Sequence, residues 1–399
     1  MQNRSNSYSI IGGGVIGYSI GIAILNAFPD AKVQIVEKES SIGAHASGRN
    51  SGVLHAGFYY SPETLKAQFC KTGNIAMKKF IKKNGLAIRE IGKVVVARNN
   101  NENLYLDTLS ERGYENGIEI ELLDASQLPK FEPLATTHGR FLWSPTTSVA
   151  NPNEVLEALD RTFKQMGGRV SLGQKVELIN HMGEIISTNK SAQADFYINC
   201  AGAHALKLAH LVGLGRDFAM IPFSGAYREV AAEKLPLRTL VYPVPSLINP
   251  FLGVHFTLTT RNTVKIGPTA MPVFGAEQYN FKSSLRNLDS RDTFRGVAAM
   301  FNADPRSFVN LARSGYGQLI LKKIREDAAT LVPSVGSVQG WKKMKPGIRA
   351  QLVRLEDGKL EQDFVVRSKN NSLHVLNAVS PGWTCAPSFA DWIVKNYIV

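Results

Sequence analysis

Three glycines near the N-terminus have the spacing of a phosphate-binding loop. Gly12, Gly14 and Gly17 follow an apolar strand candidate at residues 8–11 and open an apolar helix, in the order G-x-G-x-x-G. The first glycine permits a tight turn, the second lets the backbone approach a pyrophosphate, and the third lets the helix pack closely on the strand. Backbone N–H groups at the start of such a helix bind anionic phosphates. The motif therefore predicts a dinucleotide-binding site.

An acidic residue completes the motif and narrows the choice of cofactor. A second strand candidate at residues 33–36 ends at Glu37, where a carboxylate can accept hydrogen bonds from a ribose 2′-hydroxyl. An acid at this position favours FAD or NAD over NADP. Residues 8–25 are also uncharged and long enough to span a bilayer. Their central glycines, and the strand signal after Pro29, favour a buried strand and helix instead.

The composition is that of a large globular protein. With 399 residues, 44% of them hydrophobic, the chain can form two or three domains or two interwoven lobes. The polar N-terminal residues do not resemble a secretory signal, so we expect no export. Cys70, Cys200 and Cys385 are far apart and lack the spacing of metal ligands. We expect free thiols, no metal site and a cytoplasmic location.

The formal net charge of +13 suggests an anionic partner. Nucleic acid, an anionic membrane surface, or an anionic cofactor and substrate would each fit such a charge. The basic residues are scattered in pairs, such as Lys78-Lys79 and Lys322-Lys323, with no dense basic run. We therefore expect no nucleic-acid partner. Peripheral attachment to the inner face of a membrane stays open, as does the oligomeric state.

The order of the remaining elements predicts an α/β fold made of two interleaved lobes. We expect a Rossmann-like dinucleotide-binding domain, with an antiparallel-sheet substrate domain inserted in it. A polar run at residues 98–103 predicts a loop, and helices are expected near residues 62–84, 152–165 and 307–331. The predicted dinucleotide-binding segments are residues 1–85, 150–215 and 341–399, and the substrate-domain segments are residues 86–149 and 216–340.

Several motifs are typical of one family of flavoenzymes. The strongest is residues 45–60, HASGRNSGVLHAGFYY, and the others are Gly92-Lys93, residues 250–256 (PFLGVHF), residues 347–351 (GIRAQ) and the closing HVLNAVSPG. In these motifs the sequence resembles the L-2-hydroxyglutarate dehydrogenase/oxidase family within the D-amino-acid oxidase and glycine oxidase superfamily. The resemblance implies a dinucleotide-binding domain of the glutathione reductase type, FAD as cofactor and oxidation of L-2-hydroxyglutarate to 2-oxoglutarate, with quinone or oxygen as electron acceptor.

This chemistry requires a base for the hydroxyl proton and a cationic clamp for the substrate carboxylate, beside the flavin. Arg349 is the clamp candidate, because a guanidinium binds a carboxylate through two hydrogen bonds. His55 and His255 lie in the family-like motifs and are the base candidates. For the second carboxylate of the substrate, the candidates are Tyr59, Tyr60, Lys66 and Thr269. The resemblance places a larger set around the cofactor: Gly12, Gly14, Gly17, Glu37, Lys38, Ser47, Arg49, Asn50, Ser51, Val176, Ala201, Gly202, Gly382 and Thr384.

Some positions depart from the family pattern. Ser246 and Leu258 stand where the family usually has Asp and Arg, and Trp383 adds bulk to the closing motif. These departures bear on the substrate more than on the fold or the cofactor. An amine or amino-acid donor is the main alternative, since it would use the same arginine clamp. A flavin-binding protein without turnover is the other alternative.

Overall fold

The computed structural model describes residues 6–179, 184–187, 191–245, 253–279, 291–306, 308–309 and 321–399. Ser246 and the PFL part of the PFLGVHF motif lie outside these residues. The strands are β1 Ser7–Ile11, β2 Lys32–Val36, β3 Val53–Leu54, β4 Ile88–Arg89, β5 Lys93–Val96, β6 Glu121–Asp124, β7 Arg140–Ser144, β8 Ser148–Ala150, β9 Arg169–Ser171, β10 Val176–Ile179, β11 Glu184–Ser187, β12 Ser191–Gln193, β13 Phe196–Asn199, β14 Phe218–Gly225, β15 Arg228–Ala231, β16 Leu240–Pro243, β17 His255–Leu258, β18 Thr263–Gly267, β19 Met271–Pro272, β20 Lys342–Lys343, β21 Gly347–Arg354, β22 Val365–Lys369 and β23 Ser372–Asn377. The helices are α1 Val15–Ala27, α2 Leu65–Lys83, α3 Asn100–Glu115, α4 Leu128–Phe131, α5 Pro152–Gln165, α6 Ala205–Leu211, α7 Arg291–Ala303, α8 Leu321–Ala329 and α9 Gly382–Tyr397.

A six-stranded sheet, ordered β22-β23-β13-β1-β2-β9, forms the first lobe. Its strands pair in parallel except for the edge strand β22, which pairs antiparallel with β23. Ile10 of β1 pairs with Ile198 and with Ile35, and all three are buried. Helices α1, α5 and α9 pack against this sheet, and α2 packs on α9. Parallel strands covered by apolar helices are the expected product of the continuous apolar runs in the sequence.

An eight-stranded sheet, ordered β20-β15-β18-β17-β16-β5-β7-β6, forms the second lobe. All its neighbours pair antiparallel except β5 and β16. Its core contains Val94, Phe141, Tyr242 and Phe256, each fully buried. Each of the two large sheets contains strands from separate parts of the chain. This arrangement confirms the predicted α/β class with an added antiparallel sheet. The exact boundaries of the five predicted segments stay a proposal, since β14 and β21 pair with each other across two of them.

Two local predictions have clear outcomes. The polar run at residues 98–103 was expected to be a loop, which is wrong. Helix α3 begins at Asn100, because the Asn99 side chain accepts a hydrogen bond from the Glu102 backbone N–H and caps the helix. The uncharged stretch at residues 8–25 divides into β1, a turn and α1, and none of the described helices is long and apolar enough to cross a membrane.

Candidate active site

A cavity of about 640 Å³ lies where the carboxyl ends of β1, β2 and β13 face β14, β17 and β21. Ligands bind at the carboxyl ends of parallel strands in open α/β sheets. Most of the residues that the sequence singles out line this cavity: Gly12, Gly14, Glu37, Lys38, Ser47, Arg49, Asn50, Ser51, His55, Val176, Ala201, Gly202, His255, Thr269, Arg349, Gly382 and Thr384.

The glycines at one end of the cavity leave no room for side chains. A Cβ on Gly12, whose φ is +109°, would lie 2.5 Å from the Cys200 carbonyl oxygen. A Cβ on Gly14 would lie 2.9 Å from the Ser47 hydroxyl, and one on Gly17 would lie 2.1 Å from the Gly12 carbonyl oxygen. Helix α1 begins directly after Gly14, without a side-chain cap and without an acid in its first turn. This end of the cavity therefore offers a close backbone approach at the glycine turn and a helix N-terminus, which suit a pyrophosphate.

The Glu37 carboxylate is held in place by two backbone groups. Its two oxygens accept hydrogen bonds from the N–H of Gly13, at 2.8 Å, and from the N–H of Glu39, at 2.9 Å. The carboxylate thus lies beside the glycine turn, in the cavity wall, where a ribose would follow the pyrophosphate. The loop that follows β2 is ordered by Asn50, which donates to the Ser47 carbonyl oxygen at 2.8 Å and accepts from the Gly52 N–H at 2.8 Å.

An ion-pair cluster closes the rim of the cavity above Glu37, and we call it the rim cluster: Lys38, Glu39, His45, His204, Glu277 and Tyr279. The Lys38 ammonium lies 2.6 Å from a Glu277 oxygen, and the His204 imidazole contacts the same carboxylate at 2.7 Å. These hydrogen bonds, led by the one from His204, hold the pKa of Glu277 well below its usual range. Glu39, His45 and Glu277 approach one another as metal ligands would, but the Lys38 ammonium contacts all three. The lysine already supplies the cation of this cluster.

His255 presents a neutral imidazole to the cavity. Its Nδ1 lies 2.9 Å from the Gly253 carbonyl oxygen, which can only accept, so Nδ1 carries the proton and Nε2 keeps its lone pair. The ring stacks on Tyr242, with the ring centres 3.9 Å apart. Burial lowers the pKa of His255 to about 3. The imidazole is therefore unprotonated across the physiological range and can accept a proton at Nε2.

His55 lies in the same wall and is also neutral. Burial, followed by the positive charge of Lys93, lowers the pKa of His55 well below its ordinary value. Its backbone is fixed, since the His55 N–H donates to the Thr384 hydroxyl at 3.1 Å and the Asn74 amide donates to the His55 carbonyl oxygen at 3.0 Å. The His55 Nδ1 has no hydrogen-bond partner among the described residues. The contact with Thr384 also ties this wall to the first turn of α9.

Arg349 lies on β21, opposite Phe223 of β14, and faces the same cavity as the two histidines. Desolvation lowers its pKa, and the hydroxyls of Tyr60 and Tyr227 oppose that change. A guanidinium stays charged under such conditions. Arg349, the clamp candidate from the sequence, therefore combines a positive charge with a place in the cavity wall.

The remaining substrate candidates divide into two groups. Thr269 lines the cavity, and its hydroxyl donates to the Ser224 carbonyl oxygen. Among the cofactor candidates, Gly17 is the one that does not line the cavity, and it packs behind the glycine turn. Tyr59, Tyr60 and Lys66 do not line the cavity. Lys66 is buried on α2, where desolvation and the charge of Arg349 lower its pKa to about 8. These three side chains therefore form a layer behind the wall.

Two aromatic residues of the cavity wall were not predicted from the sequence. Tyr242 of β16 and Tyr227 both line the cavity and both pack on the ring of His255. Neither belongs to a sequence motif, and a tyrosine within an apolar strand is ordinarily a core residue. Glu277 of the rim cluster likewise has no local signal. The Gly92-Lys93 match did mark Lys93, which lies behind Tyr242.

Comparison with known proteins agrees with this geometry. The DAO family of FAD dependent oxidoreductases matches residues 7–396. L-2-hydroxyglutarate dehydrogenase of Escherichia coli (strain K12) is 35% identical over 98% of this chain and 92% of the relative. The mitochondrial L-2-hydroxyglutarate dehydrogenase of Caenorhabditis elegans is 31% identical over 98% of this chain and 92% of the relative.

Solved structures share the fold. L-alpha-glycerophosphate oxidase from Mycoplasma pneumoniae, with FAD bound, has a TM-score of 0.73 and 22% identity, covering 100% of this chain and 96% of that one. Glycine oxidase from Geobacillus kaustophilus has a TM-score of 0.71 and 19% identity, covering 99% and 94%. The glycine turn and the held Glu37 carboxylate fit FAD, which is the cofactor of this family. The chain therefore belongs to the DAO family of FAD-dependent oxidoreductases, alongside relatives named L-2-hydroxyglutarate dehydrogenase.

Proposed function

We propose that this protein oxidises L-2-hydroxyglutarate to 2-oxoglutarate. The observation that carries the proposal is the presence of an unprotonated His255 and a charged Arg349 in the wall of one cavity. The named activity of relatives that match this chain along nearly its whole length supports the substrate and its L configuration. A net charge of +13 favours the approach of a dianionic substrate.

Each residue has a distinct part in this proposal. Arg349 binds the carboxylate next to the hydroxyl-bearing carbon through two hydrogen bonds and so orients that carbon. The Nε2 atom of His255 accepts the hydroxyl proton, and His55, which packs edge-on against the same Tyr242 ring, lines the same cavity. FAD, when bound, supplies the acceptor for the hydride at its N5 atom. The first turn of α9, with Gly382 and Thr384, lines the cavity, and a helix N-terminus stabilises negative charge.

Donor preference tests this proposal. FAD-loaded protein would be given L- or D-2-hydroxyglutarate, L-lactate, L- or D-glutamate, or glycine, with a dye as electron acceptor, and product formation measured. We expect 2-oxoglutarate from the L-hydroxy acid. Lactate lacks the second carboxylate, and its kcat/KM should be about 10- to 100-fold lower, which is what one lost charged hydrogen bond costs. Faster turnover of an amino acid would contradict the proposal and favour the amine-donor alternative.

We further propose that a membrane quinone accepts the electrons and that α7 attaches the protein to the membrane surface. Phe294 and Phe301 of α7 are 53% and 47% exposed, and the Phe294 ring lies 5.8 Å from that of Phe274, which is 39% exposed. Arg291 and Arg295 are exposed on the same helix. Exposed aromatic rings next to arginines suit the surface of an anionic bilayer.

Sedimentation with lipid vesicles tests this attachment. We expect the protein to bind vesicles that contain phosphatidylglycerol more strongly than vesicles of phosphatidylcholine alone. Replacing Phe294 and Phe301 by serine should abolish binding, whereas Leu104→Ser, at a residue 58% exposed on α3, should not change it. Equal binding by all variants would contradict the assignment of α7.

A further inference from the structure

Lys93 is a buried lysine for which the fold provides no ordinary partner. Its side chain is fully buried, and Nζ has no hydrogen-bond partner among the described residues. Three aromatic rings surround the ammonium: Nζ lies 4.5 Å from the ring centre of Phe58, 4.4 Å from that of Tyr59 and 4.9 Å from that of Tyr242. Contacts with aromatic faces offset only part of the cost of removing a charge from water.

The register of the second sheet places Lys93 directly behind the cavity wall. Lys93 of β5 pairs with Leu240 of β16, so Tyr242, two residues further on, points to the same face. Val241 pairs with Phe256, which brings Tyr242 and His255 together on that face. The centre of the Tyr242 ring therefore lies close to both groups, 4.9 Å from the Lys93 ammonium and 3.9 Å from the centre of the His255 imidazole.

The charge of Lys93 acts on both candidate bases. Its proximity contributes to the low pKa of His55 and of His255, after burial in each case. Burial in turn lowers the pKa of Lys93 to about 7, and the Cys70 thiol opposes that change. Lys93 therefore takes up a proton in the pH range in which an ordinary imidazole would do so. The titratable or charged side chains that face this group are His55, Tyr59, Cys70, Tyr242, His255 and, from the clamp side, Arg349.

We propose that Lys93 is a positioning residue of the active site. It holds the Tyr242 ring against His255, and its positive charge disfavours protonation of both imidazoles. The inference rests on the proposed oxidation of a 2-hydroxy acid, because that reaction requires an unprotonated base. The bond changes of the reaction are unaffected. Lys93 adds to the effect of burial and so lowers further the pH at which the base becomes protonated.

The test compares FAD-loaded wild-type protein with Lys93→Met, which keeps the length of the side chain and removes its charge. Lys265→Met is the matched control, since Lys265 is also buried in the second sheet but pairs across strands with Glu229. We expect kcat/KM for L-2-hydroxyglutarate to stay flat between pH 7.5 and 5.5 in the wild type and in the control. In Lys93→Met the decline of kcat/KM at acidic pH should begin at a higher pH than in the wild type, because burial alone then lowers the pKa of the two imidazoles. Lys93→Arg should return this decline to the wild-type pH.

Two results would overturn the proposal. One is a wild-type protein whose kcat/KM already falls with an apparent pKa near 6.5, and this result needs no variant. The other is a Lys93→Met profile with the same shape as the wild type and a uniformly lower rate, as a purely structural role would give. If the wild type does not oxidise L-2-hydroxyglutarate at all, the proposed function fails instead, and thermal stability then decides the assignment of Lys93.

The stability measurement needs no substrate. Because folding lowers the pKa of Lys93, the unfolded chain binds more protons between pH 7 and the ordinary lysine pKa, and the cost of burying the charge is complete below pH 7. Lys93→Met should therefore be more stable than the wild type at pH 6, with a difference that shrinks towards pH 10. A variant that is less stable than the wild type at pH 6 would show that Lys93 serves packing alone.

Discussion

The substitution Gly17→Ala tests the packing on which the phosphate cradle depends. The new Cβ would lie 2.1 Å from the Gly12 carbonyl oxygen and 3.3 Å from a methyl group of Ile10, in a part of the core without free space. Relief of the first contact requires α1 to move by about 1 Å from β1, and overpacking of this kind costs about 1–3 kcal/mol of unfolding free energy. The N–H groups at the start of α1 would move by a similar distance.

The affinity for the phosphate groups of FAD should fall because these N–H groups have moved. Loss of one charged hydrogen bond costs about 1.5–3 kcal/mol, so the Kd for FAD should rise about 10- to 100-fold. The assay is titration of the FAD-free protein with FAD, followed by flavin fluorescence. Gly336→Ala is the control, since no atom lies within 4 Å of the added Cβ and its Kd should not change. A Gly17→Ala protein that binds FAD as tightly as the wild type would refute the proposed role of this contact.

Three further variants test the rest of the site. Arg349→Lys keeps the charge but loses the paired hydrogen bonds, so kcat/KM should fall about 10- to 100-fold with unchanged FAD content; an unchanged KM would argue against the clamp. His255→Gln removes the base and should lower kcat by about 100-fold or more while KM changes little, whereas a larger effect of His55→Gln would exchange the two roles. Glu277 has a lowered pKa, so its ion pairs stabilise the protein above the ordinary carboxyl pKa and are lost as the pH falls. Glu277→Gln should therefore lower the Tm at pH 7 and lower it less at pH 3, where the unfolded chain has already bound the proton but the folded protein has not. An equal loss at both pH values would exclude the ion pairs as its cause.

The fold and the cofactor could be predicted from the sequence because their signals are local. The turn at Gly12, the helix that starts after Gly14 and the acid at Glu37 lie within one β-α-β unit, so neighbours in the sequence are neighbours in space. The same reasoning failed at residues 98–103, where polar composition indicated a loop. There the Asn99 side chain accepts a hydrogen bond from the Glu102 backbone N–H, so the polar segment begins a helix.

The walls of the site could be predicted only in part. Motifs indicated His55, His255 and Arg349, and the structure brings all three to one cavity, although their roles stay predictions. Tyr242 reaches the cavity through strand register, and Glu277 meets Lys38 across 239 positions of sequence. Register and long-range ion pairs depend on the packing of two lobes, which a single sequence does not encode in any local pattern.

A single turnover without oxygen tests the central claim most directly. FAD-loaded protein would be mixed anaerobically with L-2-hydroxyglutarate, or with the same acid deuterated at C2, while the absorbance of oxidised flavin is followed. We expect rapid loss of that absorbance, slower with deuterium, and one 2-oxoglutarate formed per FAD, because the C2 hydrogen leaves as hydride. The D-hydroxy acid should leave the flavin oxidised. Flavin that stays oxidised with the L-hydroxy acid but is reduced by an amino acid or by the D-hydroxy acid would contradict the proposed function.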